Sequence, residues 1–290
     1  MEIDPRISFE HADVGGLKLH YAIAGSGQKL VILLHGFPEF WYSWRHQLIA
    51  LSDEYTVVAP DMRGYNLSDR PPHAEDYSID KLVGDVVGLI RHFGVEKAAV
   101  IGHDWGAAVA WALAIQHPEV VWKLGALQVP PLPIWKRNRT FRQFVASWYM
   151  LFFQLPALPE FIFKLNNYNA LAKALRDTTA RPGTFGDDEI DEYRKAWSKT
   201  GATTAMLNYY RAANVFSRMF GKTEVLPEID LPTLFVYGEK DTAVLPATVV
   251  GVGDVIKGDF TEHHIRDSGH WVQQEAADEV TGVIREFLKG

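Results

Sequence analysis

The sequence predicts an α/β protein: a mostly parallel central sheet flanked by helices, with a helical cap domain inserted into it. Two observations lead there. In the first half, short β-branched runs alternate with stretches of helical period, the pattern of βαβ units. From Pro130 to Pro227 that rhythm gives way to aromatic-rich helical periodicity without strand-like runs, and a strand pattern then resumes near Ile229-Asp230-Leu231-Pro232. A length of 290 residues suits one such domain carrying a large insertion. The expected division is a core domain over 1–129 and 228–290, with a helical cap over 130–227.

Leu30-Val31-Ile32-Leu33-Leu34 reads as a buried strand ending at His35-Gly36. Thr56-Val57-Val58-Ala59 is a second, ending at Pro60-Asp61, and Ala98-Ala99-Val100-Ile101 a third, ending at Gly102. Between the last two, Ser78 can cap a helix with Ile79, Leu82, Val83, Val86, Ile90 and Phe93 on one face, and Gly94 stops it. Within the insertion, Thr184 followed by Asp187, Asp188 and Glu189 marks a helix start whose acidic residues complement the dipole. Thr233-Leu234-Phe235-Val236-Tyr237 is a late core strand running into Gly238-Glu239-Lys240-Asp241. A final helix turns Val280, Val283, Ile284, Phe287 and Leu288 inward.

Bulk properties exclude several classes. A formal net charge of −7 argues against a general nucleic-acid binder, and the local basic cluster Lys136, Arg137, Arg139 and Arg142 reads as a solvated face. Cysteine is absent, which removes disulfides, thiol catalysis and cysteine–zinc sites. The eleven histidines are scattered and His263-His264 are adjacent rather than on one helix face, so no metal site is expected. No apolar run is long enough to cross a bilayer, and Met1-Glu2-Ile3-Asp4-Pro5 has neither a basic start nor an apolar stretch. The expectation is a soluble cytoplasmic protein with no membrane partner and no cofactor; a homodimer stays open.

Gly102-His103-Asp104-Trp105-Gly106 follows a strand and precedes the helix-forming run 107–115, the context of a nucleophile elbow. Asp104 there is equally suited to capping the helix that follows. As a nucleophile, a carboxylate suits a different chemistry from serine. Attack on an sp³ carbon leaves an ester that water can later cleave, so epoxides and alkyl halides fit. Ester hydrolysis then needs a base, a group to orient it and donors for the oxyanion. Asp267-Ser268-Gly269-His270-Trp271 lies after the β-like run 262–265, and His270 is the natural base. Asp241, after the late strand, is the natural acid; Glu239 and Asp267 compete for the role, while the site after the strand ending near Leu127 reads Gln128-Val129-Pro130 and offers none. His35-Gly36-Phe37-Pro38-Glu39 follows the first core strand, so the backbone N–H groups of Phe37 and Trp105 are expected to form the oxyanion hole. The bond before Pro38 is a place where a cis peptide can form.

Together HGFPEFWYSWR (35–45), DMRGYNLSDRP (61–71), GHDWGAAVAW (102–111), VYGEKD (236–241) and DSGHW (267–271) resemble the epoxide hydrolase branch of the α/β-hydrolase superfamily, over nearly the whole chain. The resemblance implies an α/β-hydrolase fold and cofactor-free conversion of epoxides with water to vicinal diols through an alkyl ester on Asp104. It also implies two cap tyrosines that hydrogen-bond the epoxide oxygen, matched here by Tyr149 and Tyr210, with Tyr209 and Tyr168 as neighbours that could be mistaken for them. Phe37, Pro38, Trp105, Tyr149 and Tyr210 are the expected substrate contacts. The insertion's Trp148, Phe152, Phe153, Leu155, Phe161 and Phe163 point to an apolar pocket for a small apolar epoxide. Two alternatives stand beside this. Fluoroacetate dehalogenases carry arginines where this chain has Trp105 and Ala108, and haloalkane dehalogenases commonly have asparagine where it has Phe37, although Trp105 is shared with them. A ligand sensor that kept the pocket would have no need of His270.

Overall fold

The computed structural model describes residues 3–213, 221 and 226–290; within the expected cap, 214–220 and 222–225 lie outside the described residues. Eight strands form one sheet: β1 (Ser8–Asp13), β2 (Lys18–Ala24), β3 (Leu30–Leu34), β4 (Thr56–Pro60), β5 (Ala98–His103), β6 (Val121–Leu127), β7 (Thr233–Gly238) and β8 (Phe260–Ile265). Their order is β1-β2-β4-β3-β5-β6-β7-β8. The β1–β2 and β2–β4 pairs are antiparallel and the rest parallel. Every residue of β3, β5 and β7 is buried, as strands covered on both faces require.

The early hairpin of β1 and β2 escaped the sequence reading. Its outer strand is almost wholly exposed, so no apolar run marks it. Its turn is signalled by Gly15 and Gly16, both at positive φ (71° and 87°), where a side chain is disfavoured.

Helices α1 (Arg45–Leu51), α2 (Ile79–His92) and α3 (Trp105–Gln116) connect the first strands. On α2, Leu82, Val83, Val86 and Ile90 are buried, while Ile79 and Phe93 are half-buried. Ser78 holds the N-cap position, but its hydroxyl makes no capping bond. Among the described residues of 130–227 there are seven α-helices and no strand: α4 (Leu132–Asn138), α5 (Phe141–Ala146), α6 (Trp148–Phe152), α7 (Leu158–Lys164), α8 (Asn169–Asp177), α9 (Asp187–Trp197) and α10 (Ala202–Ala212). Gly186 rather than Thr184 caps α9, and its first turn carries Asp187, Asp188 and Glu189. The chain ends with α11 (Val272–Glu275) and α12 (Ala277–Lys289), the latter burying Val280, Ile284 and Leu288. Among the described residues no helix is long and apolar enough to cross a membrane.

This topology sets the site. Register pairs Leu34 with Gly102, His103 with Leu127 and Gly238 with Ile265. The loops leaving β3, β5, β6, β7 and β8 therefore emerge side by side at one edge of the sheet, where open α/β sheets bind ligands.

Candidate active site

Asp104 sits between β5 and α3 with φ 51° and ψ −115°, a conformation rare for a residue with a side chain. Tight packing enforces it. A Cβ on Gly102 would lie 2.1 Å from the Gly106 carbonyl oxygen, and one on Gly106 would lie 2.2 Å from that of Leu34. Asp104 occupies the N-cap position of α3, yet its carboxylate makes no capping bond. Instead Oδ1 accepts the Phe37 N–H at 2.9 Å, and Oδ2 stands 3.7 Å from His270 Nε2. The carboxylate serves the cleft and not the helix.

The other ring nitrogen of His270, Nδ1, is 2.7 Å from Asp241 Oδ2. The second Asp241 oxygen accepts the N–H groups of Ala243 and Val244 at 2.7 and 2.9 Å. The competing acids are occupied elsewhere: Asp267 pairs with Arg181 at 2.8 Å, and Glu239 lies 3.6 Å from His264. Burial alone would push the His270 ring down. The carboxylates of Asp241 and Asp104 outweigh it and hold the ring well above the usual histidine range. Burial would likewise raise Asp104, but hydrogen bonding and charge from His270, with smaller help from His103 and the Phe37 N–H, hold it below the usual carboxylate range.

Asp104, Trp105, Tyr149 and Tyr210 line one cavity of about 400 Å³. The Tyr210 ring stands edge-on to Trp105 at 5.3 Å and to Tyr149 at 6.1 Å, and its phenol oxygen accepts the Trp105 indole N–H. Burial, reinforced by the Asp104 charge, raises both phenols, so they stay protonated donors. The neighbouring Tyr209 is committed elsewhere: its hydroxyl donates to the Arg63 carbonyl at 2.8 Å. Tyr168 packs against Trp197 instead.

The Phe37–Pro38 bond is cis, but Phe37 and Pro38 are not among the residues lining the cavity. Phe37 packs under Tyr210 and Phe153, and the Pro38 carbonyl accepts the Trp197 indole N–H at 2.6 Å. Of the insertion's aromatic residues, Trp148 and Phe161 are more than half exposed and Leu155 is exposed too. Phe153 and Phe163 are buried but do not line the cavity: Phe153 packs against both tyrosines, and Phe163 packs behind Phe153 and Phe37. Its apolar walls come from Val129, Leu132, Trp135 and Met150 on one side and Ala108, Ala112 and Ile115 of α3 on the other.

Residues that sequence reasoning passed over support the constellation. Glu39 is fully buried: Oε2 meets His103 Nδ1 at 2.8 Å and accepts the Gly36 N–H, and Oε1 accepts the side-chain amides of Gln273 and Gln274. His103 Nε2 donates to the His270 carbonyl at 2.8 Å. Glu39 and His103 both stand in motifs that were noticed, but their partnership spans 64 positions and shows only in three dimensions. Gln128 lies beside Asp241. Among the described residues no group of three or more His, Cys, Asp or Glu side chains is placed to hold a metal ion.

Residues 29–277 match the family described as alpha/beta hydrolase fold. The mouse protein named Epoxide hydrolase 4 is 38% identical over 94% of this chain and 77% of its own length. The Bacillus subtilis AB hydrolase superfamily protein YfhM is 38% identical over 98% of each. Among solved structures, the inhibitor complex of a Bacillus megaterium epoxide hydrolase superposes with a TM-score of 0.90 at 31% identity, covering 97% of this chain and 100% of that one. The chain therefore belongs to the α/β-hydrolase family and, within it, to the branch that contains the epoxide hydrolases.

Proposed function

We propose that this chain hydrolyses small apolar epoxides to vicinal diols, with Asp104 as nucleophile, His270 as base and Asp241 as the acid that orients it. The observation that carries this is the elbow carboxylate itself. One oxygen is held by the Phe37 N–H, the other faces His270, and two protonated phenols stand across the same cavity. The relatives' names support the choice of epoxide as substrate.

In this mechanism Oδ2 of Asp104 attacks a ring carbon. The C–O bond breaks, and the departing oxygen takes a hydrogen bond and then a proton from Tyr149 or Tyr210. The product is a hydroxyalkyl ester whose carbonyl, Oδ1, remains on the Phe37 N–H. Trp105 at the start of α3 supplies the second expected oxyanion N–H. Esterification removes one of the two negative charges beside the His270 ring, so the imidazolium gives up its proton, which restores the phenol that protonated the departing oxygen, and the neutral ring can accept a proton from water. Water attacks Cγ as its proton passes to His270, and the tetrahedral oxyanion collapses with cleavage of the ester C–O bond; the leaving alkoxide takes the proton from the imidazolium and departs as the diol, and the Asp104 carboxyl returns its own proton to His270. The helices of 130–227 act as a cap carrying both phenols over a core made of 1–129 and 228–290. A dehalogenase reading gains little support, because the Trp105 side chain that would hold a halide is engaged with Tyr210.

The test is His270→Gln incubated with styrene-type and alkyl epoxides. Mass spectrometry is expected to find the substrate mass added to the peptide bearing Asp104, while the unaltered enzyme releases diol. No adduct and no diol across the panel would defeat the proposal, and halide release from haloalkanes in its place would reassign the leaving group.

A further inference from the structure

Gln128 follows β6 and is fully buried, with φ 69°, where a residue bearing a side chain is uncommon. Its carboxamide makes three bonds to three places. Nε2 donates at 2.8 Å to Asp241 Oδ2, the same oxygen that meets His270 Nδ1. Nε2 also donates at 2.8 Å to the carbonyl of Gly269, the residue before His270. Oε1 accepts the Gly238 N–H at 2.6 Å, three positions before Asp241. One side chain thus ties the end of β6 to the turn that bears the acid and to the loop that bears the base.

We infer that Gln128 is a positioning residue for the acid–base pair: it fixes the Asp241 carboxylate plane against His270 and, by sharing Oδ2, limits how strongly that oxygen holds the imidazole proton. The electrostatics follow from hydrogen-bond counting. Asp241 receives four donors: two backbone N–H groups on Oδ1, and His270 and Gln128 on Oδ2. A donor on a carboxylate oxygen stabilises its ionised form and lowers its basicity. Without the amide N–H, charge on Oδ2 is left for the imidazole alone, its protonated form is favoured, and the ring becomes a poorer base at neutral pH. A glutamate in this place would set a second carboxylate against Asp241, whereas an amide presents its donor to the acid and its acceptor to Gly238.

The groups that bear on His270 come from every element around it. They are Asp104 at the elbow, Asp241 after β7, His103 at the end of β5 with its ring 5.0 Å away, and Glu39 behind His103. Glu275 on α11 accepts the N–H groups of Gly269 and Trp271 on either side of it, and Tyr149 and Tyr210 lie across the cavity. Of these groups, Asp241 is the one that the Gln128 side chain hydrogen-bonds.

The inference rests on Asp241 and His270 acting as proposed above, but its test needs no substrate. In Gln128→Met, which keeps chain length and removes both polar ends, NMR of histidine-labelled protein is expected to show the His270 titration moved up by about one pH unit, a tenfold weaker acid. If that variant does not fold, Gln128→Asn withdraws the amide by one methylene while leaving a group that water can satisfy, and a smaller shift in the same direction is expected. A lower unfolding midpoint with an unmoved His270 titration would mean that Gln128 is merely structural and would overturn the inference. Epoxide turnover by the unaltered enzyme is scored separately, so a titration shift in a chain that opens no epoxide would sink the proposed substrate and leave this role standing.

Discussion

The His270 ring lies between two carboxylates, Asp241 at 2.7 Å and Asp104 at 3.7 Å, and its protonation depends on both. The sign is direct. Burial lowers the ring's pKa, the two negative neighbours raise it, and the neighbours win. Any change that neutralises one of them must move the titration down. Asp104→Asn does so without changing volume, and it stands in for the ester, in which the same carboxylate has lost its charge. In that variant the His270 titration is expected about one unit or more below that of the unaltered protein, read by NMR. In stability terms, a raised histidine pKa contributes below the unfolded-state value, and the contribution is lost as pH rises through the folded-state value. Asp104→Asn should therefore show a smaller loss of stability between neutral and alkaline pH. A His270 titration that ignores Asp104 would remove the switch by which the proposed mechanism turns the ring into a base after the first chemical step.

The elbow joining β5 to α3 depends on close backbone approach at Gly102 and Gly106. A methyl group at 106 would press on the backbone of Leu34, the last residue of β3, and of His35 after it, which cannot yield without shifting the loop that carries Phe37. Gly106→Ala is accordingly expected to cost about 3 kcal/mol, the upper range for forced overpacking, measured from the urea unfolding midpoint. A loss below about 1 kcal/mol would show that the elbow tolerates the methyl group. This element was legible in the sequence because its glycines, its aspartate and the flanking strand and helix patterns are all local. The pairing of Asp241 with His270 was legible for a related reason: each follows a recognisable strand, and the two side chains meet at 2.7 Å. Pairings across long separations were not legible. Gln128 carries no charge that would mark it as an acid in the sequence, yet its amide, 113 positions from Asp241 along the chain, lies 2.8 Å from it in space. Composition shows that the aromatic side chains of 130–227 are apolar but not which way each helix face turns, so it does not separate cavity walls from exposed faces.

The sheet and the inserted helices meet around the cavity, and its shape follows from which α3 side chains are small. Asp104 and the two phenols occupy one end, while Ala108, Ala112 and Ile115 extend the wall along α3, and Ile115 is 44% exposed. Ala112 is eight positions beyond Asp104, about 12 Å along a helix rising 1.5 Å per residue, far enough to leave the reacting end untouched. A terminal epoxide placed with its ring at Asp104 would lay its substituent along this wall. Ala112→Trp is expected to block that arm. Catalytic efficiency for aryl epoxides with long substituents should fall about 10²-fold, because burial of the substituent is lost, while that for the smallest alkyl epoxides changes little. The ratio of kcat/KM for the two substrates is the measurement. Equal losses for both would mean that the bulky side chain had disturbed α3 and the elbow, and an unchanged ratio at full activity would place the substituent elsewhere, between Tyr149 and Met150 of α6.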